Sequence, residues 1–574
     1  MNRPNDEQDP AIPPASNAPR VRRGLSFQLA ALGLIALSAL AGIGLASRLK
    51  STNAPSKQVE GERKIPARLF SDWGQPDFVV VLSGQQEGYL MPCGCSSPQI
   101  GGLERRYNFI QLLKTEKNWP VVAVDLGDVP QKRGPANLIN VQGLIKYRYS
   151  MMALKDMGYL AVGIGQNEAD GSWSLERIEG EWAANSPQPA VLAGNLKDAE
   201  NKFPLLKPLP ETQIVPGTNI KVGVTSIVGY SVAKSIKNPA VKFDVPATPS
   251  IQKQVQKMRE EKVDLPILLY HGYATGKQEA LLCAKAFPEF PIILALTEED
   301  EPPAHPDAVH HDSGIRNYVF RLGPKGKYIG VLGVYRNGPN FNFKYQLVKM
   351  SPEYETPEDQ KATHPIAKKW EEYTRELKNN DYLAKYSQSS HTLQVMNPVQ
   401  GLRRPGDGTP HYVGSDACAS CHKHAYDVWS ASPHSHAYQT LVDAKHPSLR
   451  QYDGECIVCH TVGFGYKTGF TNEKDTPDLI NVGCESCHGP GSLHVDNSKN
   501  KEWQERMNLP WLAARKQGNE QAKNTAIEKF CVTCHDIDND VTWVHGKNNN
   551  PFVQKWFGKN IVHNNPQKNN NAPK

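Results

Sequence analysis

Four pentapeptides in the last third of the chain carry the residue types for one particular chemistry. They are Cys418-Ala419-Ser420-Cys421-His422, Cys456-Ile457-Val458-Cys459-His460, Cys484-Glu485-Ser486-Cys487-His488 and Cys531-Val532-Thr533-Cys534-His535. Two thiols with two residues between them reach the two vinyl groups on one porphyrin edge. The His that follows falls beneath the iron and supplies an imidazole. The pattern is that of c-type haem attachment, with the eight cysteines as thioether donors and His422, His460, His488 and His535 as proximal ligands. Cys-x-x-Cys pairs also build zinc sites and redox dithiols. Neither use requires a His directly after each second Cys, and here one follows all four times. Four covalently bound c-type haems are the expected cofactors.

The rest of the chain must place these groups. A length of 574 residues suggests two or three domains. The formal net charge of +6 is a mild excess that gives no case for nucleic acid as a partner. Of 11 cysteines, the motifs leave Cys93, Cys95 and Cys283. Haem of this type is attached outside the cytoplasm, so the cysteines are not read as a disulfide framework. Residues 24–47 carry no charged side chain and are long enough to cross a bilayer as one helix. Arg20, Arg22 and Arg23 precede them, against Arg48 and Lys50 after. This charge bias predicts a single-pass anchor in a bacterial inner membrane, its N-terminus in the cytoplasm and the bulk of the chain in the periplasm. A cleaved signal peptide, with Ala39-Leu40-Ala41 at the cleavage point, is the competing reading. A twin-arginine signal starting at Arg22-Arg23 fits poorly, because haem is added after export of an unfolded chain.

The fold class expected is multidomain: an N-terminal transmembrane helix, an α/β sandwich, and a mainly α or irregular multihaem domain. The boundaries read as 1–23 disordered tail, 24–47 anchor, 48–74 linker, 75–350 α/β domain, 351–404 linker with a helix over 365–377, 405–565 haem domain and 566–574 disordered tail. Apolar runs at 78–82, 121–126, 160–164, 220–227, 265–269 and 291–296 predict strands. Stretches with helical spacing at 103–114, 147–157, 251–261 and 278–287 alternate with them, which is an α/β pattern with a buried sheet.

The turns of this domain resemble the metallophosphoesterase domain of the UshA-like 5′-nucleotidase family. The matching text is Gly101-Gly102-Leu103, Asp125-Leu126-Gly127-Asp128, Val162-Gly163-Ile164-Gly165 and Tyr270-His271-Gly272. That family holds two metals at its strand ends. Here Ser83-Gly84-Gln85 replaces its Asp-x-His, Gly165-Gln166-Asn167-Glu168 its Gly-Asn-His-Glu, and Ala295-Leu296-Thr297-Glu298 its Gly-His-x-His. Asp128 and His271 alone stand in ligand positions. Two ligands cannot hold two hard cations, so the domain is expected to have lost phosphoesterase chemistry and His271 to be structural.

Pro92-Cys93-Gly94-Cys95 lies in the loop after the first strand, and the segment through Gly101 to Arg106 resembles UshA-like proteins in which Cys-Gly-Cys replaces the metal motif. Cys93 and Cys95 read either as a redox or soft-metal pair, with Arg105 and Arg106 favouring a thiolate, or as structural cysteines. Cys283 reads as a small core residue.

Segment 411–563 resembles the cytochrome c554 family of tetrahaem cytochromes. The resemblance rests on Tyr412-Val413-Gly414-Ser415, on Trp429 to His434, on Cys484 through His494, and on Asn550-Pro551-Phe552 through Trp556 to His563. It implies His434, His494 and His563 as distal ligands, serving the third, first and fourth haems. The second haem, at His460, would keep an open position unless His545 closes it. The expected function is electron transfer with redox partner proteins, the α/β domain docking a partner or carrying a thiol redox step. An alternative is a haem oxidoreductase acting on a small nitrogen compound at the open iron. A working phosphoesterase is a third, disfavoured reading.

Overall fold

The computed structural model describes residues 63–92, 99–170, 173–183, 188–273, 278–394, 408–509, 511–536, 538–540 and 543. The expected anchor at 24–47, the tails, Cys93, Cys95, His545 and His563 lie outside the described residues. Among the described residues, no helix is long and apolar enough to cross a membrane.

The α/β domain is built on two six-stranded sheets. In the first, β1 (Phe78–Ser83), β2 (Val121–Asp125), β3 (Tyr159–Gly163) and β4 (Ala190–Leu192) run parallel. β11 (Tyr328–Asn337) and β12 (Asn340–Lys349) extend that sheet antiparallel beyond β1. In the second, β6 (Lys221–Val228), β7 (Leu265–Tyr273), β8 (Ile292–Leu296) and β10 (Arg316–Phe320) are parallel. β5 (Glu211–Ile214) and β9 (Asp307–His310) form its antiparallel edges.

The central strands are apolar on both faces because both faces are covered. β7 divides its side chains accordingly. Leu265, Ile267 and Leu269 join the core between the sheets, while Leu268 and Tyr270 join the outer cluster with Ile251, Val255 and Met258 of helix Thr248–Glu260. Cys283 is buried in that same cluster, and burial pushes its thiol up to about 12, as expected of a core residue.

Two stretches read as linkers are packed. Leu69, Phe70 and Trp73 of segment 48–74 are core residues, with Trp73 stacked on Trp119. Helix Pro365–Asn379, within 351–404, buries Ile366, Trp370, Tyr373 and Leu377 against the α/β core. Its charged residues form the outer face of an amphipathic helix, and that face hid the buried stripe.

From Leu383 onward the described chain is short helices and turns. A separate apolar cluster gathers Tyr386, Tyr412, Tyr438, Ile457, Phe464 and Phe470. Leu138 and Val141 of the α/β domain pack into this cluster, so the two domains share a seam.

Candidate haem centre and the strand-end cluster

The first and third attachment motifs are fastened to each other. Glu485 occupies a variable position inside the third motif and is buried. Its carboxylate accepts the backbone N–H of Val413 (3.0 Å), Gly414 (2.8 Å) and Gly491 (2.7 Å). Burial raises its pKa, and those three hydrogen bonds pull it back. Ser415 Oγ accepts the N–H of Cys484 at 3.1 Å. The loop carrying His434 is pinned to the stretch of chain just before the third motif. Trp429 Nε1 donates to Val482 O (2.8 Å), and Val482 N donates to His434 O (3.0 Å).

The imidazoles then pair. The ring centres of His422 and His494 are 6.1 Å apart, and those of His434 and His535 are also 6.1 Å apart. An iron held about 2 Å from a nitrogen of each of two imidazoles sets their ring centres about 6 Å apart. The spacing therefore fits a bis-imidazole iron at both places. His494 faces His422 of the first motif, the placement the sequence resemblance implies. His434 faces His535 of the fourth motif, whereas the resemblance implies the third.

The far nitrogens are also placed for ligation. His460 Nδ1 lies 2.6 Å from Ala437 O, His488 Nδ1 2.8 Å from Met507 O, and His535 Nδ1 2.8 Å from Asp540 Oδ2. An imidazole that gives its Nδ1 proton to such an acceptor keeps Nε2 free for metal and gains basicity. Burial pushes His434, His460, His488 and His494 below the usual imidazole range, which favours the neutral ring that ligates. The donor set fits haem.

The thiols order the motifs: Cys418 lies beside Cys484, Cys459 beside Cys534, and Cys487 near Cys531 and Cys534. The sequence of neighbours is first, third, fourth, second.

The strand ends where the sequence resemblance implies a metal site are filled by the protein itself. Gln85 exchanges two hydrogen bonds with the backbone of Thr297 (2.9 and 3.1 Å). Ser83 Oγ donates to Asp125 at 2.5 Å, and Arg106 lies 3.7 Å from the same carboxylate. Glu168 accepts the backbone N–H of Asp128, Val129 and Gly165. His271 is buried, its Nε2 2.6 Å from Leu126 O and its Nδ1 3.8 Å from Asp128. A Cβ on Gly165 would sit 2.2 Å from His271, so the closure depends on that glycine. Among the described residues, no cluster of three or more His, Cys, Asp or Glu is arranged to hold a metal ion.

Contacts of two residues, Asp538 and Arg450, bring this strand-end face against the haem motifs. Asp538, in the turn after His535, pairs with Lys325 and with Lys327 (3.4 Å) and accepts from Tyr89 OH (3.2 Å). Arg450 Nη2 donates to Met91 Sδ at 2.9 Å. Sequence reasoning missed Glu485, Asp540 and Asp538. The available signal was an acidic residue within or just after a haem motif.

Residues 417–489 match the family model described as Cytochrome c554 and c-prime. Cytochrome c-554 of Nitrosomonas europaea is 33% identical over 136 residues, which are 22% of this chain and 57% of that protein. The chain thus spans just over half the length of that curated relative. Among solved structures it is similar to a 5′-nucleotidase precursor of Thermus thermophilus, with TM-score 0.43 and 19% identity, covering 53% of this chain and 59% of that one. It is also similar to the sulfate thiohydrolase SoxB of Thermus thermophilus, with TM-score 0.41 and 13% identity, covering 53% and 61%. Residues 417–489 are thus similar to a c-type cytochrome, and the Cys-x-x-Cys-His motifs with their facing imidazoles fit covalently bound haem.

Proposed function

We propose that residues 411–563, a cytochrome c554-like segment, hold four c-type haems and transfer electrons. Residues 24–47 anchor the chain in the inner membrane, and the bulk of it meets redox partner proteins in the periplasm. The supporting observation is the pair of facing imidazole couples, His422 with His494 and His434 with His535. When bound, haem iron supplies one-electron transfer. The chain's own part is to face imidazoles across two of the sites, His422 with His494 and His434 with His535, and to set the motifs in the order first, third, fourth, second. Cys421 and His422 are exposed, which makes the first motif the port for a partner.

The α/β domain has no hydrolytic role in this reading, since Gln85, Thr297, Arg106 and backbone N–H groups occupy the places of metal ligands. Its role is to dock a partner or to carry a thiol redox step at Cys93 and Cys95. Met91, two residues before Cys93, touches Arg450, whose charge acts on His460.

A second reading follows from the ligand count. With His494 and His434 engaged, His563 is the one remaining proposed distal ligand for two proximal residues, His460 and His488. One iron, which we place at His460, would then take a small nitrogen compound such as NO. Magnetic circular dichroism of the purified full chain separates the readings: four low-spin signals support pure electron transfer, and a high-spin signal perturbed by NO supports the second. Hydrolysis of a nitrophenyl phosphate ester with added divalent metal would overturn the non-hydrolytic assignment.

A further inference from the structure

The second attachment helix, Gly454–His460, is held at its start by the α/β domain. Asp453 caps it, accepting the N–H of Glu455 at 2.9 Å through Oδ1. The same Oδ1 accepts from Gln142 Nε2 at 2.7 Å. Gln142 is fully buried and also bonds to Tyr373 OH (2.7 Å) and Tyr386 OH (3.0 Å), while Tyr373 OH reaches Asp453 Oδ2 at 3.3 Å. One residue further, Glu455 directly precedes Cys456 and pairs with Lys146 Nζ at 2.6 Å. Lys146 is 6% exposed and also reaches Gln131 Oε1 at 2.9 Å. Gln142, Lys146 and Tyr373 all belong to the α/β domain, on or beside its helices Gly143–Met157 and Pro365–Asn379.

We infer that Gln142 and Lys146 are positioning residues for the second haem, so that the α/β domain tunes that haem's reduction potential through Asp453 and Glu455. This rests on the tetrahaem reading. The first and third motifs are oriented by each other through Glu485 and Ser415. The second begins instead in a buried polar network whose partners lie on another domain. A buried network fixes geometry because each member left unpaired is costly. A buried ion pair next to a haem-bearing cysteine also places two opposed charges near one iron, where low dielectric makes each felt. Removing Glu455 leaves Lys146 uncompensated and favours the electron-rich state. Removing Lys146 does the reverse.

The test is a potentiometric titration of the full-length protein carrying Glu455→Gln, followed spectroscopically, with the second haem identified through a His460→Met reference variant. The expected result is a rise in that haem's midpoint by about 59 mV, a tenfold change in its one-electron equilibrium, with the other haems unmoved. If Glu455→Gln does not accumulate, Lys146→Gln is read the same way and should shift the midpoint down. An unchanged second haem, or an equal shift in all haems, overturns the inference. Haem content measured on the same samples keeps the two claims separate: haem-free wild-type protein defeats the tetrahaem reading, whereas a full haem complement with an unmoved midpoint defeats this inference alone.

Discussion

His434 faces His535 across 6.1 Å between ring centres. The ring facing His535 is thus supplied by the loop that follows the first motif, and an iron held between the two would tie the ends of the proposed haem segment together.

His434→Met should alter one low-spin haem, the one attached at Cys531 and Cys534, and leave the count of attached haems unchanged. Electron paramagnetic resonance checks this. A change confined to the haem at Cys484 and Cys487 would restore the pairing that the sequence resemblance implied.

Glu485→Gln should cost roughly 3 kcal/mol. The substitution removes the charge from a carboxylate that accepts three backbone N–H groups, and hydrogen bonds to charged groups contribute about 1.5–3 kcal/mol each. Denaturant unfolding followed at the haem band measures the loss. A cost within about 0.5 kcal/mol, typical of an uninvolved surface site, would show that Glu485 does not fasten the two motifs.

Glu87 gives the domain seam a pH dependence. Its carboxyl is pushed up to about 7, first by burial and then by Asp128, with Asp538 adding to the rise and Lys325 and Lys327 opposing it. The folded value lies above the ordinary 4.5. The bound proton therefore stabilises the fold fully below pH 4.5, and that stabilisation is lost as pH rises through about 7. Unfolding free energy should fall by about 3 kcal/mol between these limits. Glu87→Gln should flatten that slope, and an unchanged slope in the variant would assign it to another group.

Trp370→Ala should destabilise the α/β domain by about 3–5 kcal/mol, the usual cost of removing a buried tryptophan. A linker residue would cost little. Thermal unfolding of the full chain distinguishes the two, and a negligible change would return helix Pro365–Asn379 to the status of a connector.

What the sequence disclosed follows the range of the forces involved. The proximal histidines were legible because haem attachment is covalent and local, written within five residues. The strands at 78–83, 121–125 and 265–273 were legible because two covered faces demand continuous apolar runs. β5, β9 and β12 were missed at sheet edges, where half the side chains meet solvent and no apolar run is required, and the short β4 and the interior β10 and β11 were missed as well. The facing of His434 and His535 was not legible because the rings that meet are set by the path of the chain between motifs. That path depends on Trp429, Val482 and Glu485, whose roles have no local signature. The Gln142–Asp453 and Lys146–Glu455 contacts were hidden for the same reason, since each joins residues more than 300 positions apart.

The central claim is that this chain holds four haems through thioether bonds at four Cys-x-x-Cys-His motifs. Intact mass of acid-denatured protein, with iron counted on the same sample, tests it most directly. The expected result is a mass increment of four haems that survives denaturation, with four irons per chain. An unmodified polypeptide mass, or zinc in place of iron, would contradict it.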